Sequence, residues 1–312
     1  METNYAVIDI GTLKVKCLVA QLLPLDELKE VYFSNELTCF GCGLDENQGL
    51  VKEEYLNKTI EELKRCQEIM KDYQIARFRI VSTHAMRRAK NKDEILQKIY
   101  QETGFRVENI SQEEEARLFF RGVINGLAED RDYAVVDMGG GSVQILVGNR
   151  QELKRAHLIQ TGAQYLHDNF TRQPHFEDSL TTEEDLEKMR RYIIEQLLPL
   201  QGIGDLPLVY GSSNIIDLMK AIGIPLEENP GSKTHPYRTY AQYLEQFMKE
   251  MLSLTYRQRE DKFSFQHGYM WGIDKAFLNI VTMAEYFPSS YIIPSNANVA
   301  WGLVYALAEH NS

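Results

Sequence analysis

The sequence predicts two similar α/β domains with a cleft between them, and three observations carry that reading. A chain of 312 residues exceeds what one hydrophobic core usually organises, so two domains are expected. Residues 133–147 read YAVVDMGGGSVQILV, apolar runs on both sides of a glycine turn that follows an aspartate, which is the pattern of a buried hairpin. The stretch also occurs twice. Residues 5–19, YAVIDIGTLKVKCLV, align on it without gaps, matching Tyr5 with Tyr133, Asp9 with Asp137 and Gly11 with Gly139. A repeat this long is too large for a solenoid unit and implies two halves, residues 1–127 and 128–312, with a last helix at 297–312 able to pack back on the first.

The repeated turn has the makings of a phosphate cradle. Gly139, Gly140 and Gly141 lack a Cβ, so their amides can approach an anion closely, Ser142 adds a hydroxyl, and Asp137 is placed to hold a cation. Gly11 and Thr12 occupy the corresponding places after Asp9. A glycine hairpin without a ligand explains one such stretch equally well, but two Asp-x-Gly turns facing each other would grip a phosphate chain from both sides. Neither turn is a Walker A loop, since the Lys-Ser/Thr pair is absent, and neither is GxGxxG. The paired turns resemble the actin-like, sugar-kinase-like (ribonuclease H-like) superfamily.

Composition narrows the partners. A net charge of −11 argues against nucleic acid, which needs a basic face, and leaves any phosphate site dependent on local cations and amides. No apolar run has the length of a membrane span, and residues 1–21 carry Asp9 and no cleavage pattern, so no membrane partner and a cytoplasmic location are expected. Of the four cysteines, Cys39 and Cys42 form a CxxC with no second pair and no nearby histidine. That reads as reduced structural thiols rather than a zinc site, as do Cys17 and Cys66.

In chain order, the first hairpin leads to an extended segment at 30–40, a turn at 40–44 and a helix at 52–73, where Leu56, Ile60, Leu63 and Met70 keep helical spacing. A strand at 76–82 precedes a helix at 83–103 that Gly104 ends. This helix carries Arg87 and Arg88 near its start, where the dipole disfavours a cation unless an anion binds there. After a short strand at 106–110, Ser111 and Glu114 form a capping box opening a helix at 112–127. The dipole accounts for Glu113 and Glu114 there, but Glu115 is less easily explained. The central hairpin is followed by a strand at 153–160, a short helix at 161–170 and a helix at 182–197. A strand at 207–210 then runs into Gly211 and Ser212 before a helix at 215–222, a strand-to-helix turn suited to anions or to ordinary capping. Residues 224–237 read as a loop, and 239–309 as mostly helical.

Five motifs along this course resemble the Ppx/GppA family of exopolyphosphatases and guanosine pentaphosphate phosphohydrolases. They are Asp9-Ile10-Gly11, the G-x-G-L at Gly41 to Leu44, the T-x-x-x-R-x-A-x-N from Thr83 to Asn91, the S-x-E-E-E-A-R-L from Ser111 to Leu118, and the D-x-G-G-G-S from Asp137 to Ser142. The resemblance implies in-line attack by water on a terminal phosphoanhydride. Glu115 would be the base and Arg87 the clamp on the terminal phosphoryl group. Mg²⁺ would be held by Asp137, Asp9 and the residue at 144, and phosphate would lie against Gly11, Thr12, Gly139 to Ser142, Gly211 and Ser212. The partner implied is polyphosphate or guanosine penta- or tetraphosphate, with a homodimer left open as the assembly. Four positions depart from the family pattern: Gln144 replaces a glutamate, Thr12-Leu13-Lys14 replaces S-N-S, Gly211 to Asn214 replaces G-x-x-G-T, and Ala300-Trp301 replaces R-E before Gly302-Leu303. A binder of polyphosphate or an alarmone, weakened as a catalyst, is therefore the alternative. A phosphotransferase is a third reading, without an adenosine-pocket signature to support it.

Overall fold

The computed structural model describes residues 3–23, 27–44, 46–139, 141–171, 180–212, 214–263, 265 and 270–309. It divides into two compact units, Met1–Gly126 with Ala297–Ser312, and Leu127–Asn296. The sequence placed the division between residues 127 and 128; in the structure it falls after Gly126, and the last helix belongs to the first unit. Among the described residues, no helix is long and apolar enough to cross a membrane.

In the first unit β1 (Asn4–Ile10), β2 (Lys14–Leu22) and β3 (Leu28–Leu37) form an antiparallel meander. α1 (Glu53–Asp72) crosses to β4 (Ile75–Ser82), which pairs parallel with β1. α2 (His84–Arg88) and α3 (Lys92–Thr103) then lead to β5 (Glu108–Asn109) and α4 (Gln112–Ile124). The strand order is β3-β2-β1-β4-β5. β1 is buried on both faces because Leu56, Ile60 and Leu63 of α1 cover one side of the sheet and the last helix covers the other. Gly104 ends α3 in the left-handed conformation, φ 72°, as expected.

The second unit repeats this plan. β6 (Tyr133–Met138), β7 (Val143–Gly148) and β8 (Leu153–Ile159) form the meander, followed by α5 (Ala163–Phe170), α6 (Glu183–Leu197), β9 (Leu208–Gly211) and α7 (Ile215–Ala221). A small ribbon of β10 (Glu227–Glu228) and β11 (Tyr237–Arg238) lies within the expected loop. α8 (Ala241–Met251), α9 (Tyr256–Lys262) and α10 (Ile273–Tyr286) precede β12 (Ile292–Ser295). The order β12-β9-β6-β7-β8 places β6 to β9 and β12 as β1 to β5 are placed in the first sheet, so the repeat seen in sequence is a repeat of topology. This is the two-domain α/β plan that the paired hairpins predicted. The strand β12 falls inside the tail read as mostly helical.

α11 (Val299–Glu309) lies against α4 in the first unit. Gly302 explains how close the two come: a Cβ there would sit 1.8 Å from the Leu118 carbonyl oxygen, and one on Gly122 would sit 2.8 Å from the Gly302 amide nitrogen. The helix that carries Glu115 is thereby fixed by a glycine-to-glycine crossing that admits no side chain.

The helix expected over 83–103 is broken. Ala89 is extended, the Lys90 amide donates to the Gly49 carbonyl, and Asn91 pairs both ways with the Val51 backbone, accepting from its amide and donating to its carbonyl. That long-range pairing competes successfully with helical hydrogen bonds. Arg87 and Arg88 therefore lie in the last turn of α2, where the dipole favours a cation. The unfavourable N-terminal placement inferred from the sequence does not occur.

Candidate functional site

In the first unit the residues of interest gather where β1, β4 and β5 end. The turn from β1 to β2 closes through the Gly11 amide, which donates to Lys14 O at 2.9 Å. That amide is consumed by the turn itself, so Gly11 shapes the turn and its amide is not available to an anion. The amides of Thr12 and Leu13 make no hydrogen bond among the described residues and are the ones available. From behind, the 38–41 segment holds the turn: the Gly41 amide donates to Thr12 O, and the Thr38 and Cys39 amides donate to Leu13 O. Gly41 must lack a side chain, since a Cβ would lie 2.7 Å from that of Ala85 and 2.8 Å from Thr12 Cγ2.

The three glutamates at the start of α4 separate by partner. Glu113 pairs with Arg117 one turn along, Glu114 reaches Arg79 of β4 at 2.7 Å, and Glu115 meets Arg87. Ser111 does cap Glu114 N, but Glu114's carboxylate goes to Arg79, so the reciprocal half of the expected box is replaced by a tertiary ion pair. Arg87 Nη1 lies 2.8 Å from Glu115 Oε2, with side chains 21% and 19% exposed. Its aligned hydrogen bond goes instead to the Ile110 carbonyl at 3.1 Å, and Oε2 accepts none. Burial pushes the Glu115 carboxyl above its ordinary range; Arg87 beside it pulls the other way, and the charge of Asp9 adds to the rise. A carboxylate so placed is more basic than an exposed one, which is the direction that favours accepting a proton.

Asp9 is almost fully buried, and its Oδ1 has no hydrogen-bond partner. Lys16, its cross-strand neighbour on β2, stands 3.5 Å from Oδ2. Lys14 follows the turn two residues earlier, and burial, with Lys16 nearby, lowers its ammonium pKa. The sequence reading passed over Lys16, although strand alternation from Lys14 and the pairing with Asp9 both pointed to it.

In the second unit the Gly139 amide donates to Ser142 O at 3.0 Å, the same closure as Gly11 to Lys14. The amides of Gly141 and Ser142 remain without acceptors among the described residues, whereas Gly140 lies outside them. Asp137 faces Gln144 across β6 and β7, as Asp9 faces Lys16. Asp137 is also in register with Gly211 on β9, so the Gly211-Ser212 turn lies at the same end of the sheet as the glycine turn. The Ser212 amide is committed to Ser295 O and that of Ile216 to Asn296, so neither is available to an anion. Ser295 and Asn296 were missed because β12 was not read as a strand.

The sequence model of the Ppx/GppA phosphatase family matches residues 35–310. The chain belongs to that family. A bifunctional 3-dehydroquinate synthase/phosphatase of Fusobacterium nucleatum is 33% identical over 175 residues, 53% of this chain and 26% of that protein. A guanosine-5'-triphosphate,3'-diphosphate pyrophosphatase of Vibrio vulnificus is 29% identical over 196 residues, 63% of this chain and 38% of that protein. This Ppx/GppA chain thus spans about a quarter to two fifths of the length of these curated relatives. Its fold is that of the Aquifex aeolicus family member, with TM-score 0.85, 23% identity and full coverage of both chains. An exopolyphosphatase from Cytophaga hutchinsonii has TM-score 0.79 and 23% identity, over 99% of this chain and 98% of that one.

Proposed function

We propose that this phosphatase-family chain hydrolyses the terminal phosphoanhydride of inorganic polyphosphate or guanosine pentaphosphate, using Arg87 and Glu115. The observation that carries the proposal is the pair itself: a guanidinium beside a carboxylate of raised basicity whose Oε2 has no aligned donor. Arg87 neutralises the terminal phosphoryl group, and Glu115 accepts the proton of the attacking water. The water oxygen bonds to phosphorus as the bridging P–O bond breaks, and the shortened chain leaves with the bond's electrons. Beside this pair in the first unit, the amides of Thr12 and Leu13, without acceptors among the described residues, are donors for phosphate oxygens, with Lys16 adding a second cation.

Mg²⁺ fits the donors present as an ion that arrives with phosphate. It takes hard oxygens, needs only one or two carboxylates and keeps several waters. In the first unit the orphan Oδ1 of Asp9 is such a donor, and in the second unit Asp137 stands opposite Gln144 with its amide oxygen; among the described residues no cluster of three His, Cys, Asp or Glu side chains offers a fuller cage. Bound, the ion would spread the charge that develops on the phosphate oxygens.

The neutral Gln144 opposite Asp137 favours a second reading, a polyphosphate or alarmone binder with little turnover. Phosphate release from short-chain polyphosphate and from guanosine pentaphosphate, measured side by side with Mg²⁺, tests both. Release from either supports the hydrolase and names its substrate. Tight binding of both without release supports the binder.

A further inference from the structure

We propose that Cys39 and Cys42 form a reversible dithiol–disulfide site, and that its oxidation state is transmitted to the first glycine turn. The geometry rests on the backbone. The Cys42 amide donates to Cys39 O at 2.8 Å, closing a four-residue turn. Such a turn keeps its end Cα atoms within about 7 Å, against the roughly 4.4–6.8 Å that a disulfide spans. Cys39 holds a left-handed backbone, φ 55°, rare for a residue with a side chain. Both residues are partly exposed, whereas Cys17 and Cys66 are fully buried in the core of the same unit and out of reach of a reagent in solution. The Lys52 ammonium lies against Gly43, next to the turn.

The site is coupled to the phosphate turn by hydrogen bonds already described. The Cys39 amide donates to Leu13 O and the Gly41 amide to Thr12 O, so the CxxC turn is the support behind residues 11–14. A disulfide between the two thiols would hold them to its own narrow geometry, with Cβ atoms about 3.8 Å apart, and so constrain the residues that carry these amides.

The oxidant is a small-molecule disulfide such as glutathione disulfide. The Cys39 thiolate attacks one of its sulfurs, forming a mixed disulfide and expelling one thiolate. The Cys42 thiolate then attacks Cys39 sulfur, forming the Cys39–Cys42 bond and expelling the second. The two protein protons go to the released thiolates, so the dithiol loses two electrons and the reagent gains them. The order of attack follows from the surroundings. Burial, and contact with the Cys39 thiol, push Cys42 up to about 12, which disfavours Cys42 as the first attacker. Once Cys39 is in the mixed disulfide its share of that rise is gone, while Lys52 and Lys58 still favour the Cys42 thiolate.

The test is equilibration of the full chain in glutathione redox buffers, followed by alkylation, peptide mass mapping and amide hydrogen exchange. Loss of two hydrogens is expected on the peptide holding Cys39 and Cys42, reversed by a dithiol reductant. Exchange at Gly11 and Gly41 should be about fivefold faster in the oxidised protein, the size expected for the loss of one ordinary hydrogen bond. Cys42→Ser should keep one glutathione on Cys39, and the double variant Cys39→Ser/Cys42→Ser should not respond. The proposal is overturned if both thiols stay alkylatable in fully oxidising buffer, if the bond forms elsewhere, or if it forms while exchange at Gly11 is unchanged. None of these readouts depends on phosphate chemistry, so the outcome is separate from that of the proposed hydrolase.

Discussion

Glu115→Gln keeps the shape of the side chain and removes the carboxylate proposed to accept a proton. General-base catalysis commonly contributes about 10²- to 10⁴-fold, so turnover at saturating substrate should fall by that factor, about 3–5 kcal/mol in the barrier. Binding should move the other way. The carboxylate lies 2.8 Å from Arg87 and offsets its charge, so its neutralisation leaves Arg87 free for phosphate. With both side chains about one-fifth exposed, solvent screening reduces the gain to roughly 1 kcal/mol, about fivefold in Kd. Wild-type kcat/KM should rise with pH through an apparent pKa above the ordinary carboxylate range, because burial raises that of Glu115, and the limb should vanish in the variant. For stability, a carboxyl raised in the folded state contributes most below its unfolded pKa, and the contribution is lost as pH rises through the folded value. At neutral pH the Gln variant should therefore be at least as stable as wild type. Phosphate release, calorimetric titration with tripolyphosphate and thermal unfolding read the three effects. A variant as fast as wild type, or one that binds more weakly, would refute the assignment.

Arg87→Ala should weaken tripolyphosphate binding by about 2 kcal/mol, roughly thirtyfold in Kd, while exposed Arg88→Ala should change it little; equal small losses in titration would mean that both merely solvate α2. Gln144→Glu places a second carboxylate opposite Asp137 and should lower the Mg²⁺ concentration giving half-maximal phosphate release; an unchanged Mg²⁺ curve would show that residue 144 does not limit the reaction. Gly302→Ala would set a Cβ 1.8 Å from the Leu118 carbonyl and should cost about 3 kcal/mol or more through displacement of α11 from α4, and denaturant unfolding at wild-type stability would contradict the packing described.

The parts of this fold that were legible in the sequence are those set by local rules. Both hairpins follow from apolar runs around a turn, and the α1 face follows from Leu56, Ile60 and Leu63 at helical spacing. What escaped the sequence reading depends on partners far along the chain. Asn91 breaks a good helical pattern only because Val51 is beside it in space, and Glu114 leaves its capping role because Arg79 is in reach. β12 is a short edge strand containing Pro294, with a pattern too brief to distinguish from the helices around it. At the candidate site, residue types were readable but commitments were not: Gly11, Gly139 and Ser212 have the right chemistry for anions, yet their amides are already bonded. Cys39 and Cys42 read as bland thiols in the sequence, whereas in the structure the turn that joins them supports the first glycine turn.

The most direct test of the central claim is hydrolysis of tripolyphosphate in oxygen-18-labelled water, with Mg²⁺ and wild-type protein, followed by mass analysis of the released phosphate. Attack by a water that Glu115 deprotonates predicts one labelled oxygen in each phosphate released in a single turnover, and no release above background from Glu115→Gln. Absence of release from the wild type despite saturable binding, or delivery of the phosphoryl group to another acceptor without label, would contradict it.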